Sequence, residues 1–175
     1  MIWIDVDPSV QIAWSIANLE ACRSGNSRIE PVHFLLGLLK VVDVNFVEDV
    51  MKNDVAPEVA ESVIAVAEEC RRRLGLSGGE IKRVRRTLRK ALGGHVTSTQ
   101  VITLHRSDAS RSLFKRAGKR AVAIGADEIS LPHLLDELAA DWPPEASTIL
   151  PPPQLTSQPE REEEWPTYLP NPFGK

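Results

Sequence analysis

Apolar residues along this chain recur mainly at helical spacing, and the pattern reads as a succession of helices with punctuated ends. Asp7 is placed to cap a first helix and Pro8 suits its opening position, where a missing N–H costs nothing. Ile12, Ala13, Trp14, Ile16, Ala17, Leu19 and Ala21 then give this helix a wide apolar surface that must pack on more than one side. Gly25-Asn26 should stop it, Ile29 follows, and Pro31 opens a short helix carrying His33, Phe34, Leu35, Leu38 and Leu39. Between Val41 and Ala56 the only helical spacing is that of Phe46, Val47, Val50 and Met51.

A clearer helix opens at Pro57, with Val59, Val63, Val66, Ala67, Cys70 and Leu74 on one side, and Gly75 and Gly78-Gly79 break it. From Glu80, the stripe Ile81, Val84, Leu88, Ala91 and Leu92 predicts another helix ending at Gly93-Gly94. A Ser/Thr-rich connector spans Val96 to Leu104. Ser107 or Asp108 then starts a helix bearing Leu113, Phe114, Ala117, Ala121 and Ile124, which Gly125 ends. Ser130 caps a further short helix with His133, Leu134, Leu135 and Leu138, and Trp142-Pro143-Pro144 closes the helical region. Pro151-Pro152-Pro153 and the acidic run of Glu160, Arg161, Glu162, Glu163 and Glu164 read as linker.

One internal signal outweighs the rest. Ala17, Ala21, Gly25, Ile29, His33 and Leu35 recur as Ala117, Ala121, Gly125, Ile129, His133 and Leu135, an offset of 100, and Trp14 matches Phe114 in character. Each segment reads long helix, glycine stop, isoleucine anchor, short helix. A duplicated unit buries its apolar side best against its copy, so the expected fold is an all-α bundle of two related halves. Residues 1–142 form the domain, with repeats over about 8–94 and 105–142, and 143–175 form a flexible tail.

These repeats, ACRSGNSRIEPVHFLLGLL and AVAIGADEISLPHLLDELA, resemble the N-terminal (Clp repeat) domain of Clp-family AAA+ unfoldases and chaperones. The segment from Arg71 to Leu92 is similar to the end of the third and the whole fourth helix of the family repeat, and 165–175 resembles the lead-in to a first ATPase module. The resemblance implies a module that binds substrate proteins or adaptors for an ATP-dependent unfoldase or protease, with an AAA+ module following in a longer protein. The chain departs from the family in two places: 42–60 is longer than the corresponding connection, and the second repeat stops near Asp141. Family members that bind phosphorylated arginine carry a glutamate immediately before each histidine. Here those positions hold Val32 and Pro132, which offer a guanidinium no anionic acceptor.

The residues themselves nominate few chemical sites. Glu30, His33, Asp127, Glu128 and His133 cluster around the two short helices as candidate partner contacts. The plainer reading of each histidine is a neutral ring tying a helix end to its neighbour, since neither has metal-ligand spacing around it. Nine basic residues lie between Arg71 and Lys90, and Arg83, Arg86 and Lys90 are candidate partner contacts on a helix whose charge is expected to face largely outward. An acidic protein, a solvated face and nucleic acid all remain open for that surface. Nucleic acid is disfavoured because no aromatic residues interleave for base stacking.

Composition narrows the remainder. Lys plus Arg total 21 against 24 Asp plus Glu, a net charge of −3, which predicts no general attraction to nucleic acid or anionic membrane. There is no P-loop pattern and no nucleophile-elbow context, so the chain is expected to be no enzyme and to need no cofactor or metal. Cys22 and Cys70, the only cysteines, read as reduced buried thiols. With acids near Met1 and no apolar run approaching about 18 residues, a cytoplasmic location without a membrane partner is expected.

Overall fold

A computed structural model of the chain describes residues 4–46, 48, 55–93 and 102–154. The positions Val47, Val50 and Met51, most of the Ser/Thr-rich connector, the acidic run and 165–175 lie outside the described residues. In chain order the elements are β1 (Asp5–Val6), α1 (Pro8–Arg23), β2 (Arg28–Ile29), α2 (Pro31–Val41), α3 (Pro57–Leu74) and α4 (Gly78–Leu92). They continue with β3 (His105–Arg106), α5 (Asp108–Ala123), β4 (Glu128–Ile129), α6 (Leu131–Ala140) and α7 (Pro144–Ser147). The duplication seen in the sequence is realised element for element at the same offset, with β1-α1-β2-α2 recurring as β3-α5-β4-α6.

Local chemistry builds the same device twice. The Asp7 carboxylate accepts from the Val10 N–H at 2.9 Å to cap α1, and the Ser107 hydroxyl accepts from the Ser110 N–H at 3.2 Å to cap α5. Both helices end in a Schellman motif. Gly25 at φ 73° donates to the Cys22 carbonyl and Asn26 to Ala21, while Gly125 at φ 75° donates to Val122 and Ala126 to Ala121. Glycine stands at this corner in each repeat because a side chain is strained in that left-handed backbone.

The structure is mostly helical, as the all-α expectation has it, with one addition. Among the described residues four two-residue strands form two parallel pairs, β1 with β4 and β2 with β3. Each pair joins the lead-in of one repeat to the isoleucine anchor of the other: Val6 sits against Ile129 and Ile29 against Arg106. The pairing runs on into the helix caps, where the Asp7 N–H donates to the Ile129 carbonyl at 3.0 Å and the Ser107 N–H to the Ile29 carbonyl at 3.1 Å. Elements this short have no periodicity by which to announce themselves. The described residues are otherwise mostly helical, and none of the described helices is long and apolar enough to cross a membrane.

Trp14, Phe34 and Phe114 meet between the repeats with ring centroids 4.9–6.0 Å apart, and the Arg106 guanidinium lies 4.4 Å from the Trp14 ring. α3 packs on α1 and crosses to α6, so the first repeat's third helix covers the face that the shorter second repeat leaves open. α4 packs on α2 and receives α7. Two boundaries move accordingly. Gly78-Gly79 do not break a helix but open α4, because Ser77 caps it and Glu80 reaches back to the Ser77 N–H at 2.8 Å. The tail expected from 143 begins later, since Pro144 starts α7 and brings Ala146 and Leu150 into the core, while Trp142 Nε1 donates to the Leu150 carbonyl at 2.8 Å.

α1 and α2 approach most closely at Gly37, where an added Cβ would lie 2.2 Å from the Ala13 carbonyl oxygen. Backbone cannot yield as a flexible side-chain end can. Gly37→Ala should therefore lower stability in urea unfolding by about 2–3 kcal/mol or more. Gly79→Ala, with nothing within 4 Å of its new methyl, should be neutral or stabilise by up to about 1 kcal/mol. Equal effects of the two substitutions would contradict the close helix contact.

Candidate functional site: a basic groove on α4

The basic stretch singled out in the sequence divides into paired and unpaired cations. Arg71 lies 3.9 Å from Glu68, Arg72 pairs with Glu69, and Arg73 bridges Glu69 and Asp136 on α6 at 2.6 and 2.9 Å. On α4 the expectation that the charge faces outward holds only in part. Ile81, Val84 and Leu88 are buried as read, but Arg85 is buried with them. Position 85 falls on the same helical stripe as 81, 84 and 88, so its guanidinium is carried inward with the apolar side chains.

Two carboxylates receive it. Glu20 on α1 is 3% exposed and Asp43, just after α2, is equally covered. Arg89 Nε donates to both Glu20 carboxylate oxygens, at 3.0 and 2.8 Å, whereas the Arg85 guanidinium stands 4.0 Å from each of Glu20 and Asp43. The Arg85 Nε is buried and has no hydrogen-bond partner. Burial, with Arg89 alongside, lowers the Arg85 pKa, and Glu20 and Asp43 oppose that shift. Lys40 is held below its ordinary range first by burial and then by Arg85, while Asp43 opposes.

These side chains line an open groove of about 560 Å³ formed by Asp43, Lys82, Arg85, Arg86, Arg89 and Lys90. Lys82, Arg86 and Lys90 follow one another at four-residue intervals along α4, and none has an acidic partner among the described residues. Five cations line the groove against Asp43, with Glu20 paired to Arg89 beside them, so the groove carries a net positive field that suits an oxyanion. Of the three cations nominated from sequence, Arg86 and Lys90 line this groove and Arg83 does not. Sequence reasoning includes Lys82, Arg85 and Arg89 among the nine basic residues without singling them out, and it misses Glu20 and Asp43. The signal of the cations was available in part, in the alignment of position 85 with the apolar stripe and in the four-residue spacing of 82, 86 and 90.

The histidine candidates lie in a different kind of place. His33 is fully buried and His133 nearly so, each in the first turn of its helix. His33 Nδ1 accepts from the Glu30 N–H at 2.9 Å, and His133 Nδ1 accepts from the Ser130 N–H at 3.0 Å. Both rings thus satisfy the backbone at a helix start. With Nδ1 accepting, the neutral His33 ring carries its proton on Nε2 and faces Ser24 Oγ at 3.1 Å, with the Asn26 amide 3.0 Å away. Burial lowers the pKa of both rings, against the opposing charge of Glu30 and Glu20 at His33 and of Asp136 and Asp7 at His133. Asp127 and Glu128 are exposed, and Glu30 is half-buried. Among the described residues no group of three or more His, Cys, Asp or Glu side chains could hold a metal ion. Of the two free thiols, Cys70 is buried and its pKa is raised by that burial, whereas Cys22 is only half-buried, contrary to expectation.

No protein-family model matches this chain, and neither does any curated protein sequence.

The buried imidazole makes stability depend on pH. Burial depresses the His33 pKa from 6.5 to about 4, so the folded state favours the neutral ring. Its contribution is complete above about pH 6.5 and is lost as pH falls toward about 4, a decline of about 3 kcal/mol. NMR titration of the ring should give a midpoint near the lower value, and His33→Gln should flatten the corresponding part of the stability-against-pH curve. A midpoint in the ordinary histidine range would contradict the buried neutral ring.

Proposed function

We propose that this chain is a non-enzymatic protein-recognition module that binds substrate proteins or adaptors on behalf of an ATP-dependent Clp-like unfoldase. The observation that carries the reading is the duplicated unit: helix, Schellman glycine, isoleucine anchor and histidine-capped short helix, repeated at an offset of 100. That order is the one in which the sequence resembles the Clp repeat. The second departure from the family also has a physical answer, because α3 packs on α6 and supplies cover that further helices of the second repeat would otherwise give. The basic groove adds a surface with a field of one sign, which speeds encounter with acidic partners even on a chain of net charge −3.

In this role the module needs no chemistry of its own. Reversible burial of apolar groups supplies affinity, charged rims supply approach and register, and a separate motor consumes ATP. Recognition of phosphorylated arginine through the short helices does not belong to the proposal, because Val32 and Pro132 stand where that arrangement needs carboxylates. A nucleic-acid-binding regulator is the reading that the same basic helix would support instead.

The two readings part on direct binding. A permanently unfolded, carboxymethylated protein should bind the chain saturably at micromolar concentration in about 0.15 M salt, with no ATP turnover by the chain alone. Duplex DNA and single-stranded RNA should bind more weakly under the same conditions. Micromolar nucleic-acid binding that falls steeply with salt, without binding of the unfolded protein, would overturn the assignment.

A further inference from the structure

We infer that the groove on α4 is a binding site for a short run of carboxylates, a stretch of consecutive glutamates or aspartates in a partner protein. This rests on the protein-recognition reading and names the chemistry of one of its contacts. The cations are arranged as a built site rather than a scatter of surface charge. Arg85 lines the groove with its side chain only 8% exposed, held in place by burial, and its buried Nε has no hydrogen-bond partner. Its nearest carboxylates, on Glu20 and Asp43, stand at 4.0 Å, too far for hydrogen bonds, so the fork is neutralised only in part. Beside it Arg89 is fixed by both oxygens of Glu20, and Lys82, Arg86 and Lys90 supply a row of exposed cations about one helical turn apart.

An extended acidic peptide fits that geometry. Lysines and arginines at four-residue intervals on a helix lie about 6 Å apart, and alternate side chains of an extended chain are spaced by about 6.6 Å. A peptide laid along α4 therefore meets one cation for every second carboxylate, while the rigid Arg85 fork offers a bidentate contact that a lysine cannot. Carboxylates on one short segment also answer the imbalance that remains when Glu20 and Asp43 are set against five cations. Nucleic acid would meet the same charges, but among the described residues no aromatic side chain lines the groove to stack a base.

The probe is a fluorescent peptide of consecutive glutamates, titrated by anisotropy into the full chain. A second full chain carries Glu160→Gln, Glu162→Gln, Glu163→Gln and Glu164→Gln, which removes the chain's own acidic run as a competitor. Saturable binding to either chain is expected, and tighter binding to the neutralised one would show the same site accepting the internal run. In whichever chain binds, the combination Lys82→Gln, Arg86→Gln and Lys90→Gln should weaken affinity about tenfold and reduce its salt dependence. Arg85→Lys keeps the charge but removes the fork and should weaken affinity about threefold. Arg111→Gln, at an exposed side chain on α5, should change nothing. Circular dichroism must show the variants folded. Absence of peptide binding to both chains would overturn the assignment, as would an equal loss in Arg111→Gln. Tighter binding of RNA or DNA through the same cations would overturn it too. If the unfolded protein still binds when the glutamate peptide does not, the groove assignment fails and the protein-recognition reading stands.

Discussion

The structure depends on a reciprocal exchange of backbone hydrogen bonds at two isoleucines. Ile29 and Ile129 each end a turn whose carbonyl has no partner within its own repeat. The opposite repeat supplies one: the Ser107 N–H meets the Ile29 carbonyl, and the Asp7 N–H meets that of Ile129. Ser110 Oγ adds a second donor to the Ile29 carbonyl at 2.7 Å. A buried carbonyl left without a donor costs roughly 1–3 kcal/mol, so each half completes the other. The lead-in strands enter their helices from the same exchange, which sets the angle at which α1 and α5 leave the anchors and brings Trp14, Phe34 and Phe114 together.

Around this symmetric frame the sequence breaks symmetry at two equivalent positions, and the breaks decide where charge goes. Position 37 is Gly, admitting the Ala13 backbone, whereas position 137 is Glu, buried and held by Arg116 and Arg120 Nε at 2.9 Å each. Position 20 is Glu where position 120 is Arg. In the second repeat the arginine on the long helix is answered by a glutamate on the short one, and the account closes locally. In the first repeat Glu20 has no such partner on α2 and draws Arg85 and Arg89 inward from α4. A buried carboxylate without a cation would be costly, and breaking a buried pair typically costs about 3–5 kcal/mol. The groove is thus a consequence of closing the first repeat without the α5-to-α6 ion pairs of the second.

The helices were legible because their apolar spacing and their caps agree: Asp7 with Pro8, Ser107 and the paired glycines at 25 and 125 each mark an end that the structure keeps. The strands were not, since two residues carry no period and their partners lie far along the chain. Gly78-Gly79 was misread as a break although Ser77 and Glu80 already formed a capping-box pattern around it. The Pro-rich segment after Trp142 was read as tail because proline ends helices, yet Pro144 opens one, and Ala146 and Leu150 have the spacing of a buried turn. For the candidate site, the histidines were legible as structural rings. The groove was only half legible, because seeing it required Glu20 and Asp43, carboxylates that nothing in the basic segment identifies.

A small negative net charge and a basic groove are compatible, because the two act over different distances. At −3 the whole chain repels anions weakly at long range, but at physiological salt that field decays over about 8 Å. Within the groove, by contrast, five cations stand close together along α4 and act together at short range. Burial also removes the usual entropic cost of fixing a long arginine, because Arg85 is already immobilised before any ligand arrives. A site of this kind discriminates by how closely an acid can approach, which favours carboxylates on a slender extended segment over a bulky anion of equal charge. Preorganisation at one arginine, with exposed cations beside it, lets a single helix combine specificity with rapid encounter.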